Sequence, residues 1–530
     1  MILNSALTFA SHQILKVWCD QQDKHFQNNL TCLEQVQRSK LDKILKSSIF
    51  ASQQNVQDYA SFTAAFPVSR YAHWKNAILD SRDGKQHLSK SELVRFQPTS
   101  GSSEHIKFIP YNKMFLEELD SAIASWLSSI YRKCPELVYG THYWSVSWLP
   151  ESQHEVLKDD NLNDDSALLG FGKRVLSKFT QAVSGDVSFA AQAEDAIFAT
   201  LCYLVADINL AMLSVWSPTF AIQLLEKLEQ YRFEIVNVLE TGDWGRRTES
   251  LKQMKAPKNK KRAIQLIRSQ HKGELQLQKL WPKLKFVSSW DTAGSQQWAS
   301  VLQQKIPFAV FEGKGLWATE GVVTIPYDGH YPLAYQSHFY EFEYLEGERV
   351  GQVIPSWQLK LGDVVSPIIS SGNGVLRYSL DDSLLVTGFM GDVPCFEFQG
   401  RRFGVDLVGE KLAPDIAMQV LNHLSQEDFK AVSLLAIDTG LSEKPYYSVL
   451  FEGKPPKSFK PEQIDQLLRG NFHYDLARDL GQLDMAQFHC ANDGWQAYKT
   501  LVMHDGMIEG NIKPEPLKKI RSESLKLLAG

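Results

Sequence analysis

The hydroxyl-rich segment near residue 100 is the first candidate for chemistry. Hydroxyl side chains and the backbone N–H groups of a glycine loop can donate to phosphate oxygens, and a nearby lysine adds a positive charge. The segment is not a Walker A loop, because GxxxxGK[ST] is absent there. Loops of this composition are more often simple turns, so an anion site and a plain turn both remain open. The candidate residues are Thr99, Ser100, Gly101, Ser102, Ser103 and, where a strand-like run begins, Lys107.

Two further segments contain carboxylates next to apolar, strand-like sequence. In Ala318–Gly321 (ATEG), a glutamate flanked by a hydroxyl and a glycine is able to hold Mg²⁺ bridged to phosphate. The segment Gly374–Asp382, whose last part is Arg377–Asp382, ends in two acids, and Asp382 could accept hydrogen bonds from a ribose diol, as acidic residues do in nucleotide sites. The alternatives are an ordinary glutamate in a turn and a hairpin turn with exposed acids.

Hydrophobic periodicity predicts the elements that carry these candidates. Residues 1–90 show helical spacing, and 191–230 predicts two helices, the second beginning at Ser217-Pro218. Short strands follow, among them Phe339–Leu345, whose alternation indicates a half-buried strand. The last part of the chain alternates helices and strands, which predicts a compact α+β domain. Its predicted elements are a helix near Pro414, strands at Val432–Ile437, Tyr446–Phe451 and Ala497–Val502, and a helix over Pro461–Leu468.

The composition is that of an ordinary globular protein. The chain has 530 residues, of which 44% are hydrophobic and 22% charged, with a formal net charge of −5. At about 100–200 residues per domain, this length predicts two to four domains. The near-neutral charge gives no reason to expect a nucleic-acid or membrane partner. Six scattered cysteines without CxxC spacing argue against a disulfide framework or a zinc cluster.

Two parts of the sequence bear on location and partners. No apolar run approaches the roughly 20 residues of a membrane span, and the N-terminus lacks a basic n-region, so we expect a cytoplasmic protein. The segment 252–285 has eleven Lys or Arg and one acid, Glu274. Its interspersed Ile and Leu residues favour a solvated helix and loop packed on the core. A nucleic-acid patch is less favoured, because no regular aromatic residues are present to stack bases.

The three candidate segments occur in one order and resemble a known family. Thr-Ser-Gly-Ser-Ser…Lys, Ala-Thr-Glu-Gly and Arg-Tyr-x-x-x-Asp…Val-Thr-Gly-Phe are similar to motifs of the acyl-adenylate-forming superfamily. The closer resemblance is to the auxin-responsive (Gretchen Hagen) acyl-acid amido synthetases, which include bacterial members. It extends in patches from about residue 60 to 515. Supporting stretches are Val215–Pro218, Gly315–Pro326, His338–Glu343, Gly409–Leu412 and Asp475–Gly481.

This resemblance implies a fold and an activity. The fold is α/β, with a large N-terminal adenylate-forming domain of mixed sheets, helices and a barrel-like subdomain, then a smaller α+β C-terminal domain. The implied boundaries are 1–398 for the large domain, a hinge at 399–402, and a mobile domain at 403–530. The implied enzyme is an ATP- and Mg²⁺-dependent ligase that joins a small carboxylic acid to an amine, usually an amino acid, through an acyl-adenylate.

The resemblance also implies roles for individual residues. The segment Thr99–Ser103 and Lys107 would hold the ATP phosphates, and Ala318 would contribute to nucleotide binding. Thr319 would face the α-phosphate, and Glu320 would bind Mg²⁺. The remaining implied residues are Asp382 and Arg401, which would contact the ribose, and Lys513, which would reach the α-phosphate from the mobile domain.

Two alternatives stay open at this point. The same adenylate could be passed to coenzyme A, giving a thioester. The chain could instead be a catalytically faded nucleotide-binding protein, because Glu104 stands beside the hydroxyl-rich segment and Asp381 adds a second acid before Asp382. A carboxylate near a triphosphate would repel it unless it is paired.

Overall fold

The protein has an α/β fold with a large N-terminal part and a smaller C-terminal α+β part, as the sequence predicts. The computed structural model describes residues 2–54, 56–98, 107–145, 179–292, 295–401, 404–405, 407, 412, 414–427, 429–439, 443–479, 483–504, 507 and 512–528. The predicted phosphate contacts at Thr99, Ser100, Gly101, Ser102 and Ser103, together with Glu104, lie outside the described residues.

Helices form the N-terminal region, as the periodicity of residues 1–90 predicts. In α2 the buried positions Leu33, Gln37, Leu41 and Ile44 recur at helical spacing, so one face packs inward. α4 begins with a capping box in which Asp58 and Ser61 satisfy each other's backbone N–H groups. The helices are α1 (Ile2–Asn28), α2 (Leu33–Ser47), α3 (Ile49–Gln53), α4 (Tyr59–Ala65) and α5 (Tyr71–Arg82).

A four-stranded parallel sheet is the first scaffold of the site. Its strand order is β3-β4-β7-β8, and helices pack around it. Ligands of such sheets bind where the carboxyl ends of the strands meet. The second predicted helix of 191–230 begins at Pro218, as expected. The elements are α6 (Lys113–Lys133), β3 (Thr141–Trp144), α7 (Ala193–Ala206), β4 (Leu210–Ser214), α8 (Pro218–Gln230), α9 (Arg232–Thr241), α10 (Lys260–Arg268), α11 (Leu277–Leu280), β7 (Phe286–Ser289), α12 (Gln296–Lys305) and β8 (Val310–Gly313).

An antiparallel six-stranded sheet is the second scaffold. Its main order is β12-β11-β13-β15-β16, and β14 pairs with β13. Backbone hydrogen bonds continue past β16, from Leu333 N to Pro394 O and from Ala334 N to Val323 O, so the sheet curls toward the ATEG segment. The strands are β11 (Phe339–Tyr344), β12 (Val353–Pro355), β13 (Val364–Ser370), β14 (Tyr378–Ser379), β15 (Asp382–Met390) and β16 (Val393–Arg401).

The half-buried character predicted for Phe339–Leu345 is wrong. Residues of both faces of β11 are buried, including the carboxylate of Glu341. Alternation placed this glutamate on a solvent face, but an arginine covers it, as described below. An ion pair between distant residues leaves no trace in local periodicity.

Three short hairpins complete the large part. The antiparallel strands β1 and β2 precede and follow residues 99–107 in the sequence, and β9 and β10 flank Thr319 and Glu320, so the ATEG turn connects two paired strands. These strands are β1 (Leu93–Pro98), β2 (Phe108–Asn112), β5 (Gln270–His271), β6 (Glu274–Leu275), β9 (Trp317–Ala318) and β10 (Gly321–Val322).

The C-terminal part is built on a mixed four-stranded sheet of order β19-β18-β17-β20. The strand predicted at Ala497–Val502 is wrong, because these residues lie in α16, where the buried residues Tyr498, Leu501 and Val502 follow helical spacing. The buried core of this part is separate from the cores of the large part. The elements are α13 (Pro414–Leu424), β17 (Phe429–Asp438), β18 (Tyr446–Gly453), α14 (Pro461–Leu468), α15 (Phe472–Asp479), β19 (Gln487–Ala491), α16 (Gly494–His504) and β20 (Leu517–Arg521).

The basic segment 252–285 includes α10. The guanidinium of Arg262 is buried and donates to Val205 O and Leu280 O, both at 2.7 Å, so it links this segment to its neighbours. Leu266 is buried, whereas Ile264 and Ile267 are exposed, so the expectation that these two isoleucines pack inward is wrong. Among the described residues, no helix combines the length and the apolar character needed to cross a membrane.

Candidate active site

The ATEG turn and the Arg377–Asp382 segment come together in the structure. The Oη of Tyr378 donates to Glu320 Oε1 at 3.3 Å, and the Oη of Tyr111 donates to Thr319 O at 2.9 Å. Burial, and then the neighbouring Glu320 carboxylate, raise the pKa of Tyr378, so its hydroxyl stays protonated and able to donate. Two of the three segments predicted from sequence are therefore in direct contact.

A buried carboxylate–imidazole pair supports the ATEG turn. Val322 N donates to His338 Nε2 at 3.2 Å, so this nitrogen is an acceptor and the ring proton lies on Nδ1. His338 Nδ1 is 2.9 Å from Glu118 Oε2, and Glu118 also accepts from Gly372 N at 3.0 Å. The pair therefore connects α6, β10 and the loop after β13. No sequence motif assigns a role to either side chain, although His338 belongs to one of the supporting stretches.

Gly321 lets the turn approach this imidazole closely. Its φ is 156°, and a Cβ at this position would lie 2.8 Å from His338 Nε2 and 2.8 Å from Ile369 Cδ1. Neither neighbour is free to move, since both are buried. A side chain at this position would push the ATEG turn away from His338 and Ile369, which explains why a glycine follows Glu320.

The Arg377–Asp382 segment begins with a buried ion pair. Arg377 Nε and Nη2 donate to the two oxygens of Glu341 at 2.9 and 3.0 Å, and Nη1 donates to Phe66 O at 2.7 Å. Tyr59 Oη also donates to Glu341, at 2.9 Å. Burial raises the pKa of Glu341, and the Arg377 guanidinium opposes that shift. The N-terminal helices are thereby connected to β11 and to this segment.

Asp382 lies at the start of β15, where its side chain is mostly buried. In the β15–β16 ladder its backbone is opposite Arg401, so the two residues predicted to contact the ribose are neighbours in the sheet. Asp381 has a different environment. Both of its carboxylate oxygens accept from Arg70, at 2.8 and 2.9 Å. The extra acid that raised the possibility of impaired ATP use is therefore paired with an arginine.

Lys107 lies directly before β2 and four positions after Ser103 in the sequence. Its Nζ is 5.7 Å from the ring centroid of Tyr71, and Tyr71 Oη accepts from Phe108 N at 3.0 Å. The lysine is thus held near α5, which begins just after Arg70, the partner of Asp381.

Lys513 is in the C-terminal part but lies against the large part. Its Nζ is 4.8 Å from the ring centroid of Trp290, which follows β7 at the carboxyl edge of the parallel sheet. The Trp290 ring in turn packs edge-on against Phe398 of β16, with centroids 5.3 Å apart. The predicted mobile-domain lysine therefore lies beside the sheet edge where ligands of this architecture bind.

Asp291 is a carboxylate at this edge that none of the sequence motifs includes. It follows Trp290, and its Oδ1 is buried and has no hydrogen-bond partner within the described part of the chain. Burial raises the pKa of Asp291 to about 6. A Cβ on Gly313 would lie only 2.2 Å from this oxygen, so the carboxylate fits because that residue is a glycine. No local pattern marks such a residue, because its burial depends on a separate strand.

The donor set at Glu320 fits a magnesium nucleotide. Mg²⁺ in such sites takes one or two carboxylates and fills its remaining positions with phosphate oxygens and water. Within the residues that the structure describes, no three His, Cys, Asp or Glu side chains form a metal cage. Glu320, partly buried at a turn beside Asp382's segment, is a suitable single carboxylate for an ion whose other ligands come with the nucleotide.

Family comparisons agree with this geometry. The model of the GH3 family N-terminal domain matches residues 22–309, more than half of the chain, and that of the GH3 family central domain matches residues 331–401. The chain belongs to the GH3 family. The resemblance inferred from the ordered motifs is thereby confirmed.

Two Arabidopsis thaliana proteins are related to this GH3 chain in sequence. The 4-substituted benzoates-glutamate ligase GH3.12 is 26% identical over 196 residues, which are 35% of this chain and 32% of that protein. The indole-3-acetic acid-amido synthetase GH3.15 is 26% identical over 235 residues, 38% of each chain. The matched segments span 32% and 38% of the two relatives' lengths, less than half of either.

Solved GH3 structures match nearly the whole fold. The AtGH3.15 acyl acid amido synthetase in complex with 2,4-DB superposes with a TM-score of 0.75 at 18% identity, over 97% of this chain and 96% of that one. A second GH3.15 structure gives 0.74 at 18% identity, over 95% and 94%. At this identity the match establishes the fold, which confirms the predicted large and small α/β parts.

Proposed function

We propose that this GH3 chain is an AMP-forming ligase that uses ATP and Mg²⁺ to join a carboxylic acid to an amine, with an amino acid as the expected amine. The observation that carries the proposal is the contact between Tyr378 and Glu320, which joins the proposed metal turn to the proposed ribose segment. The names of both Arabidopsis relatives describe ligation of an acid to an amine, which favours an amide product over a thioester.

The proposed residue roles are those that the family resemblance implies. Glu320 binds Mg²⁺, which neutralises charge on the phosphates during transfer. Thr319 and Ala318 border the α-phosphate, and Asp382 and Arg401 contact the ribose. The phosphate contacts are completed by Thr99, Ser100, Gly101, Ser102, Ser103 and Lys107, and by Lys513 from the C-terminal domain.

The proposed reaction has two half-reactions because a carboxylate has no good leaving group. One carboxylate oxygen attacks the α-phosphorus of ATP, and the bond to the bridging oxygen of pyrophosphate breaks. The amine then attacks the acyl carbonyl, its proton passes to solvent or a base, and AMP leaves. Cations at Lys107 and Lys513 stabilise the charge that develops on the phosphates, an effect commonly worth several kcal/mol.

The two half-reactions require different neighbours, so we propose that the C-terminal domain moves between them. The proposed division is 1–398, a hinge at 399–402 and a mobile domain at 403–530. The hinge overlaps the end of β16, where Gly400 has φ 138° and adopts a backbone conformation that other residues rarely reach. Lys513 would face the α-phosphate for adenylation and leave it for attack by the amine.

The test is ATP–pyrophosphate exchange with a panel of carboxylic acids, followed by mass spectrometry of products formed with amino acids or coenzyme A. We expect acid-dependent exchange and an amide product. Exchange that yields only a thioester would favour the coenzyme A alternative. Nucleotide binding without exchange for any acid would favour the faded protein. Glu320→Ala should lose exchange at every Mg²⁺ concentration, whereas Glu348→Ala, an exposed glutamate after β11, is the matched control.

A further inference from the structure

A pair of tryptophans forms a second contact between the two parts of the protein. The ring of Trp298, in α12 of the large part, has its centroid 5.7 Å from that of Trp495, in α16 of the C-terminal part. Trp298 packs against the core around the parallel sheet, and Trp495 packs against a core of the C-terminal part. The pair therefore joins the two cores, in addition to the contact of Lys513 with Trp290.

Within the C-terminal part, Tyr498 connects Trp495 to the backbone at Lys513. Tyr498 lies three residues after Trp495, on the same face of α16, and the two rings stack with centroids 5.5 Å apart. Its Oη donates to Lys513 O at 3.4 Å and accepts from Glu515 N at 3.3 Å. Burial raises the pKa of Tyr498, so the hydroxyl stays protonated and able to donate. The segment that contains Lys513 is therefore held by a side chain that stacks on Trp495.

Both rings that the large part contributes lie near the connection between β7 and α12. Trp290 directly follows β7 and contacts the ammonium of Lys513, whereas Trp298 lies in α12 and contacts Trp495. A lysine side chain is flexible, so its contact with one ring does not fix the orientation of the domain that carries it. A second contact, between two rigid rings, restricts that orientation. The tryptophan pair can therefore determine where Lys513 is placed.

The tryptophan pair is also suited to a contact that breaks. The indole N–H groups of Trp298 and Trp495 are buried and have no hydrogen-bond acceptor among the described residues. A buried donor without an acceptor has lost its hydrogen bond to water, which opposes the favourable packing of the rings. Separation of the two parts would return both N–H groups to water. The opposing terms bring the joined and separated states closer in free energy, as a moving domain requires.

We propose that the contact between Trp298 and Trp495 positions Lys513 for adenylation, and that this contact breaks when the C-terminal domain moves for attack by the amine. Both tryptophans are positioning residues, because they act through Tyr498 and the backbone of Lys513. The kinetic consequence of this inference rests on the proposed function. The placement of Lys513 over Trp290 can be measured without any substrate.

The test of placement is ¹⁹F NMR of protein that contains 5-fluorotryptophan, with the signals of the thirteen tryptophans assigned by single Trp→Phe variants. Lys513→Ala should shift the Trp290 signal, because the ammonium lies over that ring. Trp495→Leu should shift the same signal in the same direction, and should not shift it in the Lys513→Ala background. The matched control is Trp357→Leu, which removes a half-buried indole that packs against Tyr59 in the large part and should leave the Trp290 signal unchanged. A Trp290 signal that does not respond to Trp495→Leu would overturn the inference.

The kinetic test separates positioning from a merely structural role. Trp298→Leu and Trp495→Leu should each lower the kcat of pyrophosphate exchange about twofold to tenfold, the worth of one aromatic pair, and leave the KM for ATP unchanged. Aminolysis of a supplied acyl-adenylate should keep its rate, and Trp298→Phe and Trp495→Phe should retain part of the exchange activity. In the Lys513→Ala background, neither leucine variant should slow exchange further.

The outcomes distinguish this inference from the proposed function. Equal slowing of both half-reactions by Trp298→Leu or Trp495→Leu would show that the tryptophans act only on stability, and would overturn the inference while leaving the ligase intact. Absence of exchange in the wild-type protein with every acid, together with the expected response of the Trp290 signal, would overturn the proposed function and sustain the positioning of Lys513.

Discussion

Within the candidate site, the Arg377–Asp382 segment is fixed by buried polar contacts, whereas Lys513 lies across the face of Trp290. The first arrangement joins α4, β11 and the segment through the guanidinium of Arg377. The second joins the two parts of the protein through a contact between a cation and a ring. Removing one partner of a buried ion pair leaves an uncompensated charge in the interior, whereas a single contact between a cation and a ring contributes only about 0.5–2 kcal/mol. We propose that the Arg377–Asp382 segment is a preorganised part of the nucleotide site and that Lys513 moves during the reaction.

The largest effect is expected from Arg377→Met. It leaves Glu341 buried with Tyr59 as its remaining hydroxyl donor and removes the bond to Phe66 O. Breaking a buried pair by removing one partner costs about 3–5 kcal/mol. We expect a loss of this size in the free energy of unfolding, measured by urea denaturation followed by tryptophan fluorescence.

The double variant Arg377→Met with Glu341→Gln is the control for this prediction. It removes both charges, so it should be more stable than Arg377→Met alone. If the single variant loses less than about 1 kcal/mol, a value typical of exposed pairs, then the contrast between the two sides of the site is wrong.

The next effect is kinetic. Lys513→Ala should slow adenylation about a hundredfold, the scale seen when one group that stabilises a developing charge is removed. Aminolysis of a supplied acyl-adenylate should be spared, because the lysine would have left the α-phosphate by then. The measurements are pyrophosphate exchange and product formation from the synthetic adenylate. Lys519→Ala, at a lysine paired with Asp438 at 2.9 Å, should leave both rates unchanged. Equal slowing of both half-reactions by Lys513→Ala would contradict the proposal that this lysine leaves the α-phosphate between them.

A smaller effect is expected at Asp291, which lies beside Trp290. Its pKa of about 6 is above the value of about 3.9 for an exposed aspartate, so the folded protein binds the extra proton more tightly than the unfolded chain. The free energy of unfolding should therefore fall as pH rises from about 4 to above 6. Asp291→Asn removes this loss. The free energy of unfolding, measured by urea denaturation, should rise in Asp291→Asn relative to wild type. This increase should be about 1 kcal/mol larger at pH 8 than at pH 5. An equal gain at both values would show that the carboxyl titrates normally.

Features of the site that depend on residues close together in the sequence could be predicted, whereas contacts between distant residues could not. The turn at Thr319–Glu320 and the start of α8 at Pro218 follow from local signals, because turns and helix starts are set by residues within a few positions. The β9–β10 hairpin and the N-terminal boundary of α8 agree with those signals. The motifs also identified the family, because their order along the chain is kept even where the sequence identity to known members is low.

The side-chain pairs that hold the candidate segments in place could not be predicted in this way. Glu118 and His338 are 220 residues apart, and Arg70 and Asp381 are 311 apart, so no spacing rule connects them. Their pairing depends on how α6 and α5 pack against the six-stranded sheet. The same reason explains the error at β11, where a glutamate assigned to the solvent face is buried against Arg377.

The smallest effect is expected from Arg70→Ala. The ion pair of Arg70 and Asp381 lies at the opposite end of the Arg377–Asp382 segment from the pair of Arg377 and Glu341, so the two pairs can be compared directly. Arg70 and Asp381 form two hydrogen bonds, as Arg377 and Glu341 do, but their side chains are 54% and 27% exposed, against 8% and 1% for the buried pair. Exposed pairs contribute about 0–1 kcal/mol, so stability should change little. Loss of Arg70 would still leave the Asp381 carboxylate near the proposed ribose site without a cation, with the hydroxyl of Ser379 as its remaining side-chain donor at 2.9 Å. A modest rise in the KM for ATP is therefore expected, and Asp381→Asn combined with Arg70→Ala should reverse it. If Arg70→Ala destabilised the protein as much as Arg377→Met, burial would not be what distinguishes the two ends of the segment.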